Sequence, residues 1–139
     1  MQNFDYCTPT RLIFGKGVIE ELPEVMKQFG KRILLSYGSG SIKKIGLYDK
    51  VKDLLKDYEI YELPDIQPNP KYDPSVLDGV KICKEKDIDV ILAVGGGSVI
   101  DTAKFVAIGV ANQGTDIEEF FFQRKKVESS IPIGSILTI

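Results

Sequence analysis

The sequence contains 0 histidines. Histidine is the commonest imidazole ligand for transition metals and the usual acid–base side chain near neutral pH. A metal centre made from these residues alone would need carboxylates and thiols, and no tight Asp/Glu/Cys cluster offers them. Cysteine is scarce as well: Cys7 and Cys83 stand far apart and form no C-x-x-C pair. They read as reduced thiols of a cytoplasmic protein, not as a redox pair. Apolar runs are only strand-sized, so no segment is expected to cross a bilayer. The opening Met-Gln-Asn-Phe-Asp lacks a charged segment followed by an apolar one, so no signal peptide is expected. Net charge is −2, from 18 basic and 20 acidic residues. That balance gives no broad reason to bind nucleic acid or an anionic membrane.

What remains is ordinary for a globular domain: 139 residues, 43% of them hydrophobic. Arg11–Phe14 is a short β-prone run closed by Gly15-Lys16-Gly17. Val18–Phe29 has helical spacing, with Pro23 expected to delay or bend the helix and Gly30 to cap it. Arg32–Tyr37 reads as a strand, and Ser41 as the cap of a helix reaching about Lys56. Glu59–Leu63 is the next strand, and the four prolines between Pro64 and Pro74 predict a loop. Ser75–Lys86 is helical, weakened by Gly79. Asp89–Val94 is a continuous apolar run, expected to be buried on both faces. Ser98–Ala111 and Asp116–Phe122 are helices, with Phe120-Phe121-Phe122 as the core anchor of the second. Gln123–Ser130 is polar loop, and Ile131–Leu137 the last strand. Strands alternating with helices predict an α/β, Rossmann-like domain with a largely parallel sheet covered on both faces.

Gly95-Gly96-Gly97-Ser98 joins an apolar strand to a helix. Consecutive glycines let backbone approach a ligand, and the helix start offers free N–H groups that suit a diphosphate. Ser98 either caps the helix or donates to a phosphate oxygen. Asp101 is expected in the first turn, where it complements the dipole or accepts from a ribose or nicotinamide group. A tight turn with an ordinary cap is the plainer alternative. The pattern is not a standard fingerprint: Ile100 stands where G-x-G-x-x-G wants glycine, and no Gly-Lys-Ser/Thr follows. Gly38-Ser39-Gly40-Ser41 makes a second strand-to-helix loop, followed by Lys43 and Lys44. Both loops are expected at the ligand-binding edge of the sheet. This one carries no acid for ribose hydroxyls, which favours NADP over NAD; solvated lysines beside a flexible cap are the alternative. Asp65–Pro70 reads as a connector or as a rigid wall of the crevice that includes Asn69. Lys125-Lys126 reads as a solvated surface pair.

Taken together and in order, several segments resemble the iron-containing (group III) alcohol dehydrogenases, specifically their butanol dehydrogenase-like branch. They are Pro9–Gly17, Tyr37–Lys44, Gln67–Pro70, Gly95–Lys104 and Ile136–Thr138. The resemblance implies that residues 1–139 form the NAD(P)-binding α/β domain, like the N-terminal domain of dehydroquinate synthase. It implies a helical C-terminal domain, absent from this chain, that holds iron or zinc with an Asp and three His. Gly95, Gly96, Gly97 and Ser98 would hold the pyrophosphate. Asp101 and Thr138 would face the nicotinamide ribose, and Gly38, Ser39, Gly40 and Ser41 the adenosine ribose. A small or hydroxyl residue at Ser39 goes with NADP(H) in this branch, an aspartate with NAD(H). The implied partners are a nicotinamide nucleotide, a small alcohol or aldehyde, and a second copy as homodimer. With 0 histidines, this chain alone is expected to be inactive. The rival readings are the N-terminal domain of a glycerol dehydrogenase or dehydroquinate synthase relative, and a free-standing nucleotide-binding module.

Overall fold

A computed structural model describes residues 3, 5–69, 72–123 and 125–139. Four parallel strands form one sheet: β1 (Arg32–Gly38), β2 (Glu59–Ile66), β3 (Val90–Gly95) and β4 (Ile133–Leu137). Their spatial order is β2-β1-β3-β4. The helices are α1 (Leu22–Met26), α2 (Ser41–Lys44), α3 (Leu47–Leu54), α4 (Leu77–Lys86), α5 (Gly97–Ala111) and α6 (Ile117–Phe122).

Strand alternation sorts the core into two layers. Ile33, Leu35, Tyr37, Val90, Leu92 and Val94 pack with Leu22, Met26, Ile42, Val51 and Leu55 of the α1–α3 side. Leu34, Ile91 and Ala93 pack with Cys83, Val99, Ala103, Val106 and Ile117 of the α4–α6 side. Every residue of β3 is buried, as its unbroken apolar run predicts. The expected α/β sheet with helices on both faces is therefore present.

Several boundaries differ from the sequence expectation, each for a physical reason. Arg11–Phe14 is not a strand: it has no ladder partner among the described residues, and Leu12 and Phe14 are exposed. The Val18–Phe29 helix is shorter and divided, a 3-10 turn over Val18–Glu21 leading into α1. Pro23 sits in the first turn of α1, where its missing N–H costs nothing. The helix from Ser41 to Lys56 breaks at Gly46, whose φ of 76° makes it the N-cap of α3. β2 continues past Pro64, because β2 is an edge strand and tolerates a residue that cannot donate. There Pro64 and Asp65 lie between the Ser36↔Leu63 and Gly38↔Ile66 pairings, opposite Tyr37 alone, which is a bulge. Residues Tyr72–Val76 form a π-helical turn ahead of α4, and Pro70 lies outside the described residues. Ile117 anchors α6, and Phe122, expected in the core, is 83% exposed. Gly79 is not simply a weak point. A Cβ there would fall 2.5 Å from Val106 and 2.9 Å from Leu63, so glycine is what lets α4 approach α5 and the sheet.

Candidate functional site

In this strand order the chain leaves β1 toward one side and β3 toward the other. The switch point lies between them, at their carboxyl ends, which is where open α/β sheets bind ligands. Tyr37 pairs with Val94, so the loops that follow Gly38 and Gly95 stand side by side.

The Gly95–Ser98 junction is built from both strand and helix. Gly96 is the N-cap of the 15-residue helix α5, with φ −85° and ψ −168° and no side-chain cap. Gly97 and Ser98 open the helix, so their N–H groups lack intrahelical acceptors. Together with the helix dipole they form a positive end directed at the crevice. Ser98 does not cap the helix. Its Oγ accepts from the Asn69 N–H at 3.1 Å, which leaves the hydroxyl proton available to donate elsewhere. Asn69 holds a left-handed φ of 61°, a conformation asparagine tolerates well. Asn69, in the segment after β2, is thus tied to the first turn of α5.

The three glycines differ in what the fold asks of them. A Cβ on Gly95 would meet Val99 at 2.7 Å, so packing requires glycine there. At Gly96 a Cβ would find only the Thr138 carbonyl at 3.7 Å, and at Gly97 nothing within 4 Å. Neither has a positive φ. Neither is glycine because the protein's own atoms demand it.

The other expected residues divide between the centre and the rim. Gly38 is central: a Cβ on it would stand 3.6 Å from the Ile66 carbonyl and 3.9 Å from Val99. Thr138 joins the centre as well, donating its N–H to the Gly95 carbonyl at 3.0 Å. Gly40 is the N-cap of α2 with φ 134°, so Ser41 does not cap that helix. Ser39 on the loop and Ser41 at the start of α2 are both exposed. Asp101 lies beyond the first turn of α5, contrary to expectation, and pairs with Lys104 at 3.1 Å. Buried Thr102 donates to the Ser98 carbonyl at 2.9 Å, bracing the first turn from behind.

A polar cluster beside the Gly38–Ser41 loop was not expected from sequence. Glu62 of β2 accepts from the Tyr37 and Tyr48 hydroxyls at 2.7 Å each and pairs with Lys52 at 2.9 Å. Burial opposes ionisation of Glu62, but the bonds from Tyr37, Lys52 and Tyr48 outweigh it and hold the carboxyl at about 2. Burial, then the bond to Glu62, pushes the Tyr37 phenol up. The partners lie 25, 14 and 10 residues from Glu62, so no local motif signals them.

The described residues contain no group of three or more His, Cys, Asp and Glu able to hold a metal. With 0 histidines in the sequence, these residues do not fit the metal of an iron-containing enzyme.

Residues 9–139 match the family model of iron-containing alcohol dehydrogenases. The chain is 47% identical over 141 residues to the probable NADH-dependent butanol dehydrogenase 2 of Bacillus subtilis, covering 100% of the chain and 36% of that relative. It is 42% identical over 142 residues to the NADPH-dependent aldehyde reductase YqhD of Escherichia coli, again with 100% and 36% coverage. The crystal structure of NADH-dependent butanol dehydrogenase A from Thermotoga maritima superposes with a TM-score of 0.93 at 41% identity, over 100% of this chain and 35% of that one. The chain therefore spans about a third of the length of the relatives it matches. The family-model match over residues 9–139, the shared fold and identity at this level over the whole chain carry one conclusion: the chain belongs to the iron-containing alcohol dehydrogenase family.

Proposed function

We propose that residues 1–139 form the nucleotide-binding domain of an NAD(P)-dependent, metal-dependent alcohol dehydrogenase or aldehyde reductase, with NADPH favoured. One observation carries the nucleotide reading. Gly96 and Gly97 leave room that the protein does not fill, in front of two unpaired N–H groups at the start of a long helix. A pyrophosphate matches that space and that polarity. In this reading Gly95, Gly96, Gly97 and Ser98 cradle the pyrophosphate, with Asn69 holding Ser98 in place. Asp101 and Thr138 border the nicotinamide ribose. Gly38, Ser39, Gly40 and Ser41 take the adenosine ribose. The preference for NADPH is supported by a loop without an acid between Gly38 and Lys44 and by two exposed serines. The names of the relatives include both NADH- and NADPH-dependent enzymes, so the preference is this chain's own question.

The reaction is hydride transfer between the nicotinamide and a small alcohol or aldehyde: the alcohol loses a hydride and a proton, and the nucleotide gains the hydride. A metal, iron or zinc, is held by residues outside 1–139. The chain alone then binds nucleotide without turnover. Homodimer formation and a cytoplasmic setting complete the reading, the latter supported by two unpaired cysteines.

The test is a titration of the chain with NADPH and with NADH, followed by nicotinamide fluorescence and repeated with Gly96→Asp. Tighter binding of NADPH that vanishes in the variant is expected. Equal binding of the two removes the preference and keeps the site. Binding that Gly96→Asp leaves intact contradicts the phosphate cradle.

A further inference from the structure

We propose that Lys43 reads the ribose 2′-phosphate of NADP(H), and that Glu62 is the positioning residue that holds the Lys43 platform together. The proposal rests on the nucleotide reading above and names the charge that would recognise the 2′-phosphate. Lys43 follows the Gly38–Ser41 loop directly, its N–H bonded to the Gly40 carbonyl at 3.1 Å. Its ammonium lies 5.2 Å from the ring centre of Tyr37 and 5.0 Å from that of Tyr48. The rings meet edge to face, 5.4 Å apart at 62°. Both hydroxyls end on the Glu62 carboxylate, one on each oxygen. That bridge joins β1 and β2 to α3 and sets the orientation of both rings.

The two ring contacts distinguish Lys43 from the neighbouring Lys44, and its charge is not spent on a carboxylate. Lys52 also approaches the Tyr48 ring, at 5.9 Å, but it takes the Glu62 carboxylate. Asp65 is close enough to raise the Tyr37 phenol. Among the described residues neither Asp65 nor any other carboxylate forms an ion pair with Lys43. Aromatic faces hold a cation without cancelling its charge. Lys43 is thus fixed in place and electrostatically unspent, beside the loop assigned to the adenosine ribose. A phosphate ester there brings up to two negative charges, and an ammonium meets them as a compact point charge. Without Glu62 the rings lose their common anchor, and the ammonium loses its fixed position.

The experiment is calorimetric titration of the full chain with adenosine 2′,5′-bisphosphate and with adenosine 5′-monophosphate. The first probe carries the 2′-phosphate and the second lacks it. Lys43→Met keeps length and apolar contact but removes charge; it should weaken the bisphosphate roughly tenfold and the monophosphate less than twofold. Glu62→Gln should lower the ratio of the two affinities in the same direction, and Lys44→Met should change it less than threefold. Circular dichroism melting of each variant separates loss of fold from loss of recognition. Equal weakening of both probes by Lys43→Met would mean that the lysine only supports the loop, and would overturn the proposal. So would an equal effect of Lys44→Met, which would point to a general positive field. Equal affinity of the two probes for the unsubstituted chain would sink the NADPH preference itself. A preference that survives Lys43→Met would sink only the role given to Lys43.

Discussion

The backbone N–H of Asn69 donates to the Ser98 hydroxyl at 3.1 Å, across 29 residues of sequence. This bond ties the segment after β2 to the first turn of α5, and it fixes the state of the hydroxyl. As acceptor from Asn69, Ser98 keeps its own proton for a ligand oxygen. Ser98→Ala should therefore weaken NADPH binding by roughly tenfold, as for a lost hydrogen bond to a charged group. Because the pair is exposed, its loss should cost the fold no more than about 1 kcal/mol. Fluorescence titration and urea unfolding measure the two separately. A large loss of stability with unchanged binding would show the bond to be structural alone.

Glu62 should shape the acid limb of stability. Its carboxyl is held at about 2, against 4.5 for a free one. A carboxyl depressed on folding contributes stability above its unfolded value, and that contribution is lost as pH falls through the folded value. The loss should therefore fall between about pH 4.5 and 2. Urea unfolding across this range should show a shallower fall for Glu62→Gln, which is less stable than the parent at pH 7. Parallel curves for the two proteins would mean that Glu62 is not held ionised by its three donors.

Two buried positions, Gly79 and Ser36, should respond in opposite directions to added and removed atoms. Gly79→Ala forces a methyl toward Val106 and Leu63 and should destabilise by about 1–3 kcal/mol, despite the better helix propensity of alanine. Ser36 is fully buried on β1, and its hydroxyl has no partner among the described residues. Ser36→Ala removes an unsatisfied group and should leave stability unchanged or raise it by up to about 1–3 kcal/mol. A marked loss in Ser36→Ala would indicate that the hydroxyl does have a partner.

The sheet was legible because burial leaves a plain trace. β3 reads as an apolar run from Val90 to Val94, and the alternation in β1 is masked for the same reason, burial on both faces. The glycine-rich junction after β3 stands out because three glycines exceed what one turn needs, although only the structure separates Gly95, required by Val99, from Gly96 and Gly97. Boundaries failed where tertiary context decides. Pro64 looks like a breaker until β2 is known to be an edge strand with a bulge there. Arg11–Phe14 has strand composition but no neighbour to pair with among the described residues. The break between α2 and α3 falls at Gly46, whose left-handed backbone the fold, not the helical spacing, decides. The Glu62 cluster left no trace, since its members are charged or aromatic residues common in any strand or helix and meet only through the sheet.

The central claim is that Gly96 and Gly97 are glycine for a ligand and not for the fold, and one paired measurement tests it. Gly97→Ala adds a methyl into open space at a helical position, with no positive φ to strain. Thermal unfolding should show stability equal to the parent or higher by about 0.4–1 kcal/mol. Titration of the same variant with NADPH should show affinity lower by at least about tenfold, the methyl standing where phosphate oxygens approach the helix start. Stability kept and binding lost is the predicted result. Binding kept alongside unchanged stability would contradict the account, because the space in front of α5 would then hold nothing that a methyl group displaces.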